Sequence, residues 1–187
     1  MSVISRRSPA WAASLPATIS RPEMMTDGTD KRFRLLVHRL LAFASRLDAI
    51  RAGYGQLIGL SGSQYTILIC ITHLGEEDGG VGVNQIADHL SYSGAFVTME
   101  ANSLAVQGLV RKRQNPNDRR RVLLTVTEKG RALLAQLSPT QRQVNDALFA
   151  TMSRKDFERL IEIAGYLVRD ATYAQRLLEL LALTKET

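Results

Sequence analysis

The sequence predicts a mainly α-helical protein carrying one small β-hairpin, and three observations carry that reading. Apolar residues recur at helical spacing in long stretches toward both ends of the chain. Two short helical patterns separated by a four-residue turn lie in the middle. Directly after them, two runs rich in β-branched residues flank a polar, turn-forming cluster. The 187 residues suffice for one domain of ordinary size with a tail, and 45% hydrophobic residues supply its core. No apolar run reaches the 18 or so residues that a membrane span needs, so no membrane partner is expected.

Residues 1–29 open the chain. The first 22 hold Arg6, Arg7 and Arg21, no acid, and many Ser, Ala and Pro. They lack the continuous apolar stretch of a secretory signal and read as a disordered leader. Over residues 30–60, Phe33, Leu36, Val37, Leu40, Leu41, Ala44, Leu47, Ile50, Tyr54 and Leu57 form an apolar stripe, with Arg34, Arg39, Arg46 and Asp48 on other faces. That is a long amphipathic helix. Ser61-Gly62-Ser63-Gln64 reads as a capping box opening a second helix to about residue 74, whose run of Tyr65, Ile67, Leu68, Ile69, Cys70 and Ile71 predicts deep burial. Residues 75–82, with four glycines and three acids, predict a turn.

Helical patterns follow at about 84–90, with Ile86, Ala87 and Leu90 inward, and at about 95–107, with Val97, Ala101, Leu104 and Ala105 inward. Ser91-Tyr92-Ser93-Gly94 separates them, and Gly108 suits the left-handed position just past a helix end. Strands are predicted over 109–113 and 122–126, with the turn formers Gln114-Asn115-Pro116-Asn117-Asp118 between them. Helix, short turn, helix and hairpin, in that order over residues 61–127, is the layout of a winged helix-turn-helix. Thr127 then caps a helix with Leu133, Leu134 and Leu137 inward, in which Pro139 predicts a kink or break because it lacks a donor N–H and crowds the preceding turn. Ser153 and Asp156 open a last long helix, apolar at Phe157, Leu160, Ile161, Ala164, Leu167, Val168, Ala171, Leu177, Leu178 and Leu181. Residues 128–187 therefore form a C-terminal helical segment.

Net charge is +6 and the isoelectric point near 9.8, which favours an anionic partner. Its placement is more telling than its size. Arg111, Lys112, Arg113, Arg119, Arg120 and Arg121 stand against Asp118, so six cations less one acid put about five of the six net charges in the hairpin. Such a finger is narrow enough to enter a groove of duplex DNA. A carboxylate two residues before Arg120 is expected to orient that guanidinium by a charge-assisted bond, although aspartate also simply favours turns. The second helix of the pair is expected in the major groove, with Ser93, Gly94, Ala95, Phe96, Thr98, Met99 and Asn102 nearest the bases. Ser93 and Thr98 can donate to phosphate, and Asn102 to phosphate or adenine. Ser93 is equally suited to capping the helix, and Phe96 and Met99 to the core. Lys112, Arg113, Asp118, Arg119, Arg120 and Arg121 complete the candidate DNA-binding set.

Ile86-Ala87, Val97-Thr98, Leu104, Gly108-Leu109-Val110, Asp118-Arg119-Arg120 and Thr127-Glu128-Lys129-Gly130 together resemble the MarR (multiple-antibiotic-resistance regulator) family, over about residues 31–183. The resemblance implies a homodimer whose first and last helices form the interface, binding a pseudo-palindromic operator in double-stranded DNA and acting as a repressor. Arg120 looks like the family's minor-groove arginine and Asp118 its positioning partner. Lys112 stands where the family more often has arginine, Ala95 and Phe96 replace small hydroxyl residues, and Ser103 replaces a frequent basic one. The resemblance also implies a small aromatic or amphipathic effector, for which His38, Arg51, Tyr54, Tyr65 and His73 are candidate ligands.

One cysteine, Cys70, excludes an intramolecular disulfide and fits a cytoplasmic protein; its apolar setting predicts an inert buried thiol. No cofactor or metal site is expected, since three histidines are scattered. No phosphate-cradling Gly loop, zinc-protease motif or nucleophile elbow is present, so an enzyme is not expected. The competing reading is a winged-helix interaction module whose basic hairpin meets an acidic protein without specific DNA recognition.

Overall fold

A computed structural model of the chain describes residues 16–75, 79–116, 118 and 120–184. The chain divides into two compact units, residues 1–137 and 138–187. The first holds α1 (Lys31–Leu57), α2 (Gly62–Gly75), β1 (Val81–Gly82), α3 (Val83–Leu90), α4 (Gly94–Val106), β2 (Val110–Gln114), β3 (Val122–Val126) and the start of α5 (Glu128–Leu148). The second holds the remainder of α5 and α6 (Arg154–Leu183).

In the first unit, the apolar faces predicted for the three middle helices close on one core. Ile67, Leu68 and Ile71 from α2 meet Ile86 from α3, Val97, Ala101 and Leu104 from α4, and Val110, Leu124 and Val126 from the sheet. Burying each such side chain contributes about 1.5–3 kcal/mol, the main source of this unit's stability. The sheet is antiparallel in the order β1-β3-β2, with Val81 and Lys112 both paired to Leu124. β1 corrects the expectation of a plain turn at 75–82: two of those residues add an edge strand to the hairpin.

Local chemistry ends the helices where the side chains suggest. Ser61 Oγ accepts from the Gln64 amide at 3.1 Å, and Gln64 Oε1 accepts from the Ser61 amide at 3.3 Å, completing the capping box. Gly108 takes φ +73° after α4, a conformation a side chain would strain. Beyond it, α5 is pinned onto the end of α4. Thr127 Oγ1 donates to the Gly108 carbonyl (2.7 Å), Lys129 Nζ donates to the Gln107 carbonyl (2.8 Å), and the Thr127 amide donates to the Leu109 carbonyl (3.0 Å). The Gly130 amide in turn donates to Thr127 Oγ1 at 3.1 Å. These donors satisfy carbonyls that a helix end would otherwise leave without partners.

Residues 1–15 of the expected leader lie outside the described residues. Residues 16–29 lead into α1 through a 3-10 turn at Pro22–Met24. The Thr18 amide and hydroxyl donate to Asp30 Oδ2 at 2.7 and 2.8 Å, and Arg34 Nε donates to the same oxygen at 3.0 Å. These bonds, the Thr18 pair foremost, hold the Asp30 carboxyl down at about 2.

α5 continues through Pro139, so of the expected kink or break the break does not occur. α6 opens on Ser153, whose Oγ accepts from the Asp156 amide at 3.2 Å. None of its thirty residues is buried. No single helix among the described residues is long and apolar enough to cross a membrane.

Candidate nucleic-acid interface

α4 presents three distinct faces. Val97, Ala101 and Leu104 point into the core. Ala95, Met99, Asn102 and Val106 point outward and are exposed, Met99 to 57% and Val106 to 89%. Gly94 and Thr98 turn toward the wing, where they and Lys112, Asn115, Arg120 and Arg121 line a cleft of about 400 Å³ floored by Ala101 and Leu124. No acid lines that cleft among the described residues. The helix expected to read bases and the finger expected to hold phosphates thus face one concave surface.

The remaining candidates take more specific places. Ser93 caps α4, its Oγ accepting from the Phe96 amide at 3.2 Å, which leaves its own proton for a phosphate. Thr98 Oγ1 donates back to the Gly94 carbonyl at 2.8 Å, so its oxygen remains as an acceptor. Phe96 stands edge-to-face with Tyr92 at 5.3 Å and packs against the core, away from the outward face. Asn84 and Gln85, at the start of α3, also line the cleft and were not singled out from the sequence. Polar side chains in a first helical turn were the available signal.

Within the wing, Asp118 does not hold the Arg120 guanidinium as expected. Its Oδ1 accepts from the Arg120 amide at 3.1 Å, and its Oδ2 pairs with Arg121 Nε at 3.2 Å. The carboxylate therefore fixes the backbone of the tip, and the Arg120 side chain is left exposed. Arg113 lies on the opposite face of the hairpin from Lys112, and its guanidinium donates to the Gly79 carbonyl beside β1. Arg119 lies outside the described residues.

Of the candidate effector ligands, three come together. The Tyr54 and Tyr65 rings pack edge-to-face at 5.8 Å, and the Arg51 guanidinium lies 5.6 Å from the Tyr65 centroid while its Nε donates to Thr66 Oγ1 at 3.3 Å. Both tyrosines are buried, whereas His38 and His73 are exposed and apart from this cluster. The Cys70 thiol is buried nearby, and that burial pushes it up to about 11, with Arg51 opposing weakly. A thiol so shifted carries little thiolate at neutral pH.

A helix pair ending in a three-stranded wing, with both facing one cationic cleft, defines a winged helix-turn-helix protein. Residues 58–121 match the MarR family, whose members are transcription factors. The HTH-type transcriptional regulator MhqR of Bacillus subtilis is 25% identical over 135 residues, covering 72% of this chain and 90% of MhqR. Solved structures show the same fold. A mutant MarR from E. coli complexed with operator DNA superposes with a TM-score of 0.58 at 19% identity, covering 71% of this chain and 92% of that one. CouR from Rhodococcus jostii RHA1 bound to p-coumaroyl-CoA gives 0.61 at 18% identity, with coverages of 74% and 92%.

Proposed function

We propose that this chain is a homodimeric transcriptional repressor that binds a pseudo-palindromic operator, α4 in the major groove and the wing against the minor groove. The single observation that carries this reading is the cleft in which Thr98 of α4 and Lys112, Arg120 and Arg121 of the wing converge without an acid. Asn102 on the outward face of α4 supplies an amide suited to adenine, and Met99 an apolar contact for a thymine methyl. Arg120, exposed at a tip whose backbone Asp118 holds, is the side chain placed to enter the minor groove. The mutant MarR solved on operator DNA supports the docking mode, and CouR with its bound thioester supports release by a small aromatic or amphipathic effector.

Dimerisation is supported by apolar surface on each unit taken by itself. α1 exposes Leu35, Leu36, Leu40 and Leu41, and α6 exposes Leu160, Ile161, Leu167, Val168, Leu178 and Leu181. Contiguous apolar surface of this kind marks an interaction site rather than a solvated one. A two-fold dimer would repeat the reading helix at about one turn of B-form DNA.

The test is fluorescence anisotropy of the full chain on the duplex upstream of its own gene. Binding is expected to depend on sequence and to weaken steeply with salt, by about 0.9 in logarithmic slope for each phosphate contacted. Arg120→Ala is expected to lose roughly 1–3 kcal/mol. Unchanged affinity in that variant would remove the wing from the mechanism. Indifference of the wild type to DNA sequence would favour the acidic-protein partner instead.

A further inference from the structure

The thirteen residues of α4 hold one ionisable side chain, and it is an acid: Glu100. A lone negative charge on a helix that approaches phosphates is unfavourable by elementary electrostatics, and the structure gives it a definite seat. Glu100 projects from the flank of α4 that faces the start of α2, where Ser63 Oγ donates to its Oε1 at 3.0 Å. Ser63 shares a 2.9 Å hydrogen bond with Ser61, the residue that caps α2. One turn further along α4, Gln64 Nε2 donates to Ser103 Oγ at 3.1 Å. Two rungs therefore tie the first turn of α2 to the reading helix.

The first turn of α2 is the positive end of a helix dipole, with amides that lack carbonyl partners. It lies beside the reading helix, on the opposite flank from the cationic cleft. The Glu100 carboxylate faces that end through a neutral hydroxyl, and among the described residues no cation pairs with it. Its charge is thus only partly offset, and the side chain is half-buried where α4 meets the first turn of α2.

We propose that Glu100 sets the affinity of this chain for duplex DNA: held by Ser63 at the rim of the reading helix, its carboxylate repels backbone phosphates and occupies the α2 end that a phosphate would otherwise approach. The inference rests on the DNA-binding reading above and adds to it a residue that works against binding. Such a residue lowers the sequence-independent part of the affinity, so base contacts carry a larger share of the total. Ser63 and Gln64 are positioning residues here, acting on α4 and its acid.

The experiment compares the full-length wild type with Glu100→Gln, Glu100→Ala and Ser63→Ala on a labelled duplex of arbitrary sequence, from about 0.05 to about 0.5 M salt. Glutamine keeps an acceptor for Ser63 and removes only the charge. Glu100→Gln is expected to bind about three- to tenfold tighter at roughly 0.1 M salt, with the advantage shrinking as salt rises. Its logarithmic salt slope is expected to be steeper than that of the wild type. Glu100→Ala is expected to share the gain, while Ser63→Ala, which keeps the charge and cuts the tether, is expected to show none. A merely structural role predicts something else: Glu100→Gln equal to or weaker than wild type at every salt, or tighter by the same factor throughout. Either outcome overturns the proposal. Failure of wild type and variants alike to bind any duplex at low salt would instead overturn the DNA-binding reading itself, a result distinct from a wild type that binds and a glutamine variant that matches it.

Discussion

Between Leu60 and Val126 the chain closes a core of apolar side chains against one another, with Ile67, Leu68, Ile86, Val97, Leu104 and Leu124 at or near zero exposure. α6 is comparably rich in leucine and isoleucine, yet leaves Ile161 at 54%, Val168 at 68% and Leu178 at 69% exposure and buries none of its residues. Composition does not separate the two regions; the presence of facing elements does. The winged helix brings sheet and helices together within a short stretch of sequence, so its core closes internally. α6 buries none of its own residues, and its apolar stripe gains nothing until another surface covers it.

The sharpest way to break that contrast is to charge the stripe. Leu160→Asp combined with Leu167→Asp is expected to turn a dimer into a monomer, with apparent dissociation weakened on the order of a hundredfold or more, read by sedimentation equilibrium. A wild type already monomeric at micromolar concentration would defeat the contrast at once. Ile67→Ala, in the closed core, is expected to cost about 2–5 kcal/mol in urea denaturation. A loss below about 1 kcal/mol would mean that this core is less tightly packed than its zero exposure implies. The smallest effect is expected at the start of α1. The Asp30 carboxyl sits at about 2, below its ordinary value, so its bonds to Thr18 are fully present above about pH 4 and are lost as the pH falls toward 2. The protection of the Thr18 amide against hydrogen exchange, relative to its intrinsic rate at each pH, is expected to fall over that interval, and Asp30→Asn to remove that change. Exchange indifferent to both would disconnect the segment from α1.

What was legible in the sequence was mostly short-range. The caps at Ser61 and Ser153, the left-handed Gly108 and the hairpin tip are each decided by residues within a few positions of one another. What escaped was long-range. β1 is two residues long and exists only because β3 lies beside it, more than forty residues later. The Arg113 guanidinium donates to a carbonyl 34 residues earlier, a pairing that its place in a cationic run does not signal. Asp118 was correctly placed in the tip and wrongly paired, since spacing alone does not distinguish an amide from a guanidinium two residues away. The α2–α4 rungs, Ser63 to Glu100 and Gln64 to Ser103, span 37 and 39 residues and left no local signature.

The joint between α4 and α5 has a mechanical consequence. With the carbonyls of Gln107, Gly108 and Leu109 engaged by Lys129 and Thr127, the rear of the reading helix is clamped to the root of its successor. A twist of the first turn of α5 would therefore be passed to the end of α4 through three hydrogen bonds rather than absorbed in a loop.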